Sequence, residues 1–134
     1  MNLKRILLVS LVIIGLVTSS DAQRPLLYTG YDTEQITVAA TAIGFTASKT
    51  KPVGEAYQAA LASCSAECSA SAPCPYRYNS VTGVTPTASV GLLININATT
   101  EEKSFAVYGY ENIRAFKAIR TGANSVKLSC TYYK

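Results

Sequence analysis

Short runs of β-branched and aromatic residues, separated by turn formers about every ten positions, set the tightest limit on what this chain can fold into. In residues 92–97, Ile94 and Ile96 alternate with Asn95 and Asn97, a period of two that buries one face of a strand. Residues 35–46 carry Ile36, Val38, Ile43 and Phe45 among threonines, and residues 76–79, 104–110, 114–120 and 126–133 read as further strands. Residues 99–103 and 121–124 read as polar turns. Residues 57–66 are alanine-rich and suit a helix by propensity alone. The Ser63-Cys64-Ser65 alternation and the small-residue loop from Ser69 to Pro73 point instead to a strand running into a turn. Ile113, Phe116 and Ile119 fall at a helical spacing of three, but Gly109 and Gly122 flank them without a cap, so residues 114–120 are read as a strand entered through a turn at Glu111-Asn112. About seven strands predict an all-β fold, a single antiparallel β-sandwich of immunoglobulin or fibronectin type.

The N-terminus has a different character. Lys4 and Arg5 precede an apolar stretch at residues 6–17, broken only by Ser10 and Gly15, and Ser20-Asp21-Ala22 offers small residues for cleavage. This is the pattern of a secretory signal peptide over residues 1–22. The apolar stretch would span about 18 Å as a helix, short of the roughly 30 Å hydrocarbon core, so a retained membrane anchor is the alternative rather than the first reading. The mature chain then covers residues 23–134, enough for one domain with one modest core. Its charge falls from +4 to +3 with the loss of Lys4, Arg5 and Asp21, and its basic residues are spread out, so no nucleic-acid partner is implied.

All four cysteines, Cys64, Cys68, Cys74 and Cys130, lie in the exported part and predict two disulfides. Three pairings are possible. The favoured one joins Cys68 to Cys74 around a short loop and Cys64 to Cys130 across the domain, the second closure contributing about 4 kcal/mol in the chain-entropy picture. A zinc site is the rival. It has no histidine to draw on, and the spacing after Cys64-x-x-x-Cys68 is irregular.

The absence of histidine removes the commonest general base and every Ser-His or Cys-His pair. Nothing in the spacing of Asp32, Glu34, Glu55, Glu67, Glu101, Glu102 and Glu111 suggests a facing pair of carboxylates or a calcium loop. The glycines stand singly and form no phosphate-cradling loop. No cofactor, no metal and no enzymatic activity are therefore expected. Asn97-Ala98-Thr99 matches the N-glycosylation sequon, which has meaning only in a secretory pathway that reads it.

Nine tyrosines against three phenylalanines shift the aromatic content towards rings with a polar tip, suited to contact surfaces for proteins or sugars. Tyr76-Arg77-Tyr78 and Tyr108-Gly109-Tyr110 would each point two rings to one sheet face. Tyr76, Arg77, Tyr78, Tyr108 and Tyr110 are the candidate contact surface, against the plainer alternative that tyrosines simply pack in a thin sandwich.

Several segments in fixed order carry a resemblance. They are Ile36-Thr37-Val38, Ala42-Ile43-Gly44-Phe45-Thr46-Ala47, Pro75-Tyr76-Arg77-Tyr78, Pro86-Thr87-Ala88-Ser89-Val90-Gly91, Ile113 with Phe116-Lys117-Ala118-Ile119-Arg120, and Cys130-Thr131-Tyr132. Over residues 36–133 the chain resembles small structural proteins of tailed-phage virion gene clusters. The turn before Pro86-Thr87 is similar to one in sandwich modules attached to secreted carbohydrate enzymes. The resemblance implies a passive building block, a virion structural or decoration protein, whose partner is a capsid-like or tail-like assembly or further copies of itself. The alternative is a secreted carbohydrate-binding or accessory module. The expected location is secreted or periplasmic, virion-associated under the first reading, with a membrane contact only if residues 1–22 are retained.

Overall fold

The computed structural model describes residues 27–134, so the expected signal peptide lies outside the described residues. Eight strands form two four-stranded antiparallel sheets. In chain order they are β1 (Gly30–Val38), β2 (Ile43–Gly44), β3 (Leu61–Cys68), β4 (Tyr76–Asn79), β5 (Leu92–Ile94), β6 (Glu102–Tyr108), β7 (Lys117–Arg120) and β8 (Val126–Tyr133). Two short helices interrupt them, α1 (Ala47–Thr50) and α2 (Tyr110–Ala115). The first sheet runs β1-β8-β3-β6 and the second β2-β7-β4-β5. The expected all-β sandwich is present, but with eight strands in the order of a jelly roll rather than seven in that of an immunoglobulin or fibronectin domain, because the chain crosses between sheets at nearly every connection.

The centre of the first sheet shows why alanine-rich β3 is a strand. In β8, Val126, Leu128, Cys130 and Tyr132 are buried and alternate with more exposed neighbours, a full period of two. Opposite them on β3, Ala62 pairs with Tyr132, Cys64 with Cys130 and Ala66 with Leu128. Small side chains on one strand make room for large ones on the next, which keeps the layer close-packed. Helix propensity counts for little against that burial. Between the sheets, Phe45 stacks on Phe116 with centroids 4.0 Å apart, Tyr78 stacks on Phe105 at 4.8 Å, and Tyr132 meets Phe45 edge-on at 5.6 Å. All three phenylalanines of the chain are spent here.

Several boundaries differ from the sequence expectation. The segment 35–46 is two strands in two sheets, since β1 starts at Gly30 and ends at Val38, and β2 pairs with β7. Residues 57–60 precede β3, which begins at Leu61. Glu102 and Lys103 belong to β6 rather than to a turn. β5 stops at Ile94, although Ile96 continues the alternation into the core and its carbonyl accepts from the Cys74 N–H at 2.9 Å. The expected strand over 114–120 is half helix: Gly109, at φ 81°, ends β6, and the Ile113 N–H bonds back to the Gly109 carbonyl at 3.0 Å. α2 buries Ile113, so the spacing of three marked a real helical turn, one held by packing rather than by a side-chain cap.

Candidate contact surface

The register of the strands sorts the connections into two groups. Segments 39–42, 69–75, 95–101 and 121–125 lie at one end of the sandwich, because Val38, Cys68 and Val126 are neighbours in the first sheet and Tyr76, Ile94 and Arg120 in the second. Segments 45–60, 80–91 and 109–116 lie at the other end. Both ends of the described chain are there too, since Thr29 and Lys134 exchange N–H to C=O bonds of 3.1 and 3.0 Å.

The first end is stapled by the bond from Cys68 to Cys74, while the second disulfide, Cys64 to Cys130, joins the middles of the adjacent strands β3 and β8. Backbone bonds tie its loops together: Ser69 to Ser125, Thr121 to Pro75 and Arg120 to Ala39, each at 3.0 Å. The Asn124 amide donates to the Pro73 carbonyl at 3.0 Å, and the Arg120 guanidinium to the Ala123 carbonyl at 2.8 Å. Gly122 is needed here, since a Cβ on it would stand 2.9 Å from the Pro75 ring. Glu101 accepts from Lys103 and from the Asn97 N–H, which hold its carboxyl below the usual carboxylate range. The exposed residues of this end are small or polar: Ala39, Ala40 and Thr41; Ser69, Ala70, Ser71 and Pro73; Asn95, Asn97, Ala98, Thr99 and Thr100; and Ala123.

The other end carries most of the exposed large apolar residues, interspersed with exposed Lys51, Glu55, Glu111 and Arg114, and is aromatic beneath. Of the nine large hydrophobic residues exposed among the described residues, Leu27, Tyr28, Val53, Val81 and Val90 lie in the segments of this end and Leu92 and Tyr108 on the strand ends that adjoin them, while Ile43 lies on the strand end next to the stapled loops and Leu93 in the middle of β5. Val53 is 94% exposed at the tip of its loop, Leu27 86% and Tyr108 60%. Under them, the Tyr31 hydroxyl donates to the Lys49 and Thr50 carbonyls at 3.0 and 3.1 Å, and burial pushes its pKa up to about 12. Tyr31 also meets Tyr57 edge-on at 5.0 Å, and the Lys134 ammonium sits 3.9 Å above the Tyr57 ring. Tyr132 donates to Glu34, whose carboxylate also accepts from the Thr46 N–H at 3.1 Å. Asp32 is held below its ordinary range, first by Lys49 at 2.8 Å and then by the Thr33 N–H. These bonds hold α1 and its flanking loop against β1 and β8.

The five candidate contact residues do not form one surface. Tyr76 is fully buried at the stapled end, because it shares the inward face of β4 with Tyr78 at a period of two. Tyr78 is half-buried in the aromatic cluster. Arg77 points outward but donates to the Ala88 carbonyl at 3.0 Å and the Gly91 carbonyl at 2.6 Å, fastening the 80–91 loop. Tyr108 and Tyr110 do not share a sheet face: Gly109 ends the strand, and Tyr110 opens α2 half-buried. Tyr108 alone of the five is strongly exposed. The sequence reading passed over Val53 and Val81, which carried one local signal: an apolar residue within a turn sequence, as in Pro52-Val53-Gly54.

Among the described residues no three His, Cys, Asp or Glu side chains cluster as metal ligands would, and no helix is long and apolar enough to cross a membrane. No protein-family model matches the chain, and no curated protein matches it. Among solved structures the chain is similar to one from Bacillus endospore appendages, which form a family of disulfide-linked pili. The two share 20% identity over 80% of this chain and 88% of that one, with a TM-score of 0.43, a likeness too loose to carry a functional argument.

Proposed function

We propose that this protein is an exported, non-enzymatic building block that works by contact, seating the end at which Thr29 and Lys134 meet against a larger assembly. The segregation of exposed apolar side chains carries this reading. Single exposed hydrophobic residues are ordinary on any surface, whereas their collection at one end of a domain, above a rigid aromatic layer, is the pattern of an interface. Export is supported by residues 1–22 and by the two disulfides, which suit an oxidising compartment. Repetition on an assembly would multiply weak contacts of this kind through effective concentration.

A virion-like particle is the specific assembly we favour. The resemblance over residues 36–133 to tailed-phage structural proteins supports it, as does the jelly-roll winding, used by viral capsid domains; both are fold-level analogies. The sugar-binding alternative required a row of exposed rings on β4 and β6, and the burial of Tyr76 and Tyr78 leaves Tyr108 without that row.

The test compares Val53→Glu/Tyr108→Glu with Thr99→Glu at the stapled end. All three positions are exposed, so stability should stay within about 0.5 kcal/mol of wild type. Tagged protein returned to its source culture should sediment with particulate material. The double variant should lose at least about tenfold in that fraction while Thr99→Glu is retained. Equal retention of both would overturn the reading.

A further inference from the structure

The tripeptide Asn97-Ala98-Thr99 has no part in the contact surface, and the structure gives it a definite place. Among the asparagines of the chain, Asn97 alone is followed at the second position by Ser or Thr with a residue other than proline between, the pattern that a glycosylating secretory pathway reads. Ile96 is fully buried and its carbonyl accepts from the Cys74 N–H at 2.9 Å, so the alternation of the chain turns the neighbouring Asn97 outward. Asn97, Ala98, Thr99 and Thr100 are all exposed. The Glu101 N–H bonds to the Ala98 carbonyl at 3.1 Å, and the Glu101 carboxylate accepts from the Asn97 N–H at 2.6 Å, so the sequon forms the tip of a closed turn between β5 and β6.

Other asparagines are used by the fold. The Asn79 side chain accepts from the Val81 N–H at 2.7 Å, the Asn112 amide donates to the Tyr108 carbonyl at 2.9 Å, and the Asn124 amide donates to the Pro73 carbonyl at 3.0 Å, each fastening a turn. At Asn97 only the backbone N–H is engaged, and among the described residues neither its carboxamide nor the Thr99 hydroxyl has a hydrogen-bond partner. The carboxamide is therefore free to carry a substituent without breaking a bond of the fold. Its surroundings at the stapled end are small or polar, Ser69, Ala70, Ser71 and Ala123 among them, which leaves room for a bulky hydrated group.

We infer that Asn97 is an N-glycan acceptor, modified in the secretory pathway that exports the chain. The donor is a lipid-linked oligosaccharide. The Asn97 Nδ2 bonds to C1 of the first sugar, the bond from C1 to the diphosphate oxygen breaks, the lipid diphosphate leaves, and an amide proton passes to the base of the transferring enzyme; nothing is oxidised or reduced. A glycan here stands over the turns 69–75, 95–101 and 121–125 and keeps neighbours off them, leaving the opposite, apolar end as the face open to a partner. This inference rests on the export part of the proposed function and is independent of which assembly the apolar end meets.

Intact mass of the protein secreted by its source, before and after treatment with peptide-N-glycosidase, reads the modification. The wild type should lose the mass of a glycan, and the enzyme should convert Asn97 to aspartate within the tryptic peptide 78–103. Asn97→Gln and Thr99→Ala should abolish the glycan, whereas Thr99→Ser, which keeps the hydroxyl, and Asn95→Gln, which alters the neighbouring outward asparagine, should retain it. All these positions are exposed, so the variants should fold with an unchanged circular dichroism spectrum. A secreted wild type with the mass of the bare polypeptide overturns the inference, and so does a glycan that survives Asn97→Gln. Bare protein still recruited to particles would sink the glycan alone, whereas glycosylated protein that is never recruited would sink the end-on contact alone.

Discussion

The two ends of this sandwich are built to different specifications. At the stapled end, a disulfide, three loop-to-loop backbone bonds and a close glycine approach hold four loops whose exposed residues are small or polar. At the opposite end, α1 and its flanking loop are held by Tyr31, Tyr132 and the Lys49–Asp32 ion pair, and the surface carries leucine, valine and tyrosine among exposed Lys51, Glu55, Glu111 and Arg114. Both are fastened by hydrogen bonds, so the difference is not whether the loops are tied down. It is that one end has covered or omitted its apolar side chains and the other has left them out in solvent, which a monomeric surface has no physical reason to concentrate.

Changes to the staples should have the largest effect. Replacing Cys64 and Cys130 together with Ala opens a link of sequence separation 66 and should lower unfolding free energy by about 4 kcal/mol in urea titrations. Replacing Cys68 and Cys74 opens a separation of 6 and should cost about 2 kcal/mol. If the short link costs more than the long one, the 69–75 turn depends on its staple for order and the stapled end is the weaker of the two.

Smaller effects of opposite sign should come from one buried tyrosine at each end. Tyr132 donates to Glu34, so Tyr132→Phe should lose about 2 kcal/mol, the range for a hydrogen bond to a charged group. The Tyr76 hydroxyl is buried with no partner among the described residues, so Tyr76→Phe should gain up to about 1 kcal/mol. Urea midpoints read both. Two losses of equal size would mean that the hydroxyl at the stapled end is satisfied after all, and the contrast would fall.

Much of the local structure was legible in the sequence. β4 and β8 have the boundaries that the runs Tyr76-Arg77-Tyr78-Asn79 and residues 126–133 suggest, because alternation reports directly on a strand with one face buried. The helix α2 was hidden because it is six residues long and lacks a side-chain cap, so tertiary burial of Ile113 rather than local preference stabilises it. The division of residues 35–46 between two sheets has no local signature, since both halves are equally β-prone and only pairing with β8 or β7 separates them. The same limit hid the contact surface. Tyr76 and Tyr108 look alike in sequence, each two residues from another tyrosine, and only the winding of the sheets puts the first in the core and the second on the surface.

Hydroxyl-radical footprinting, comparing the isolated protein with the protein in its native particulate fraction, tests the end-on contact most directly. Leu27, Val53, Val81 and Tyr108 should become protected in the assembly, while residues 69–75 and 121–125 stay as reactive as in the isolated chain. Protection centred on the stapled loops, or labelling that does not change between the two states, would contradict the proposal that the apolar end is the working surface.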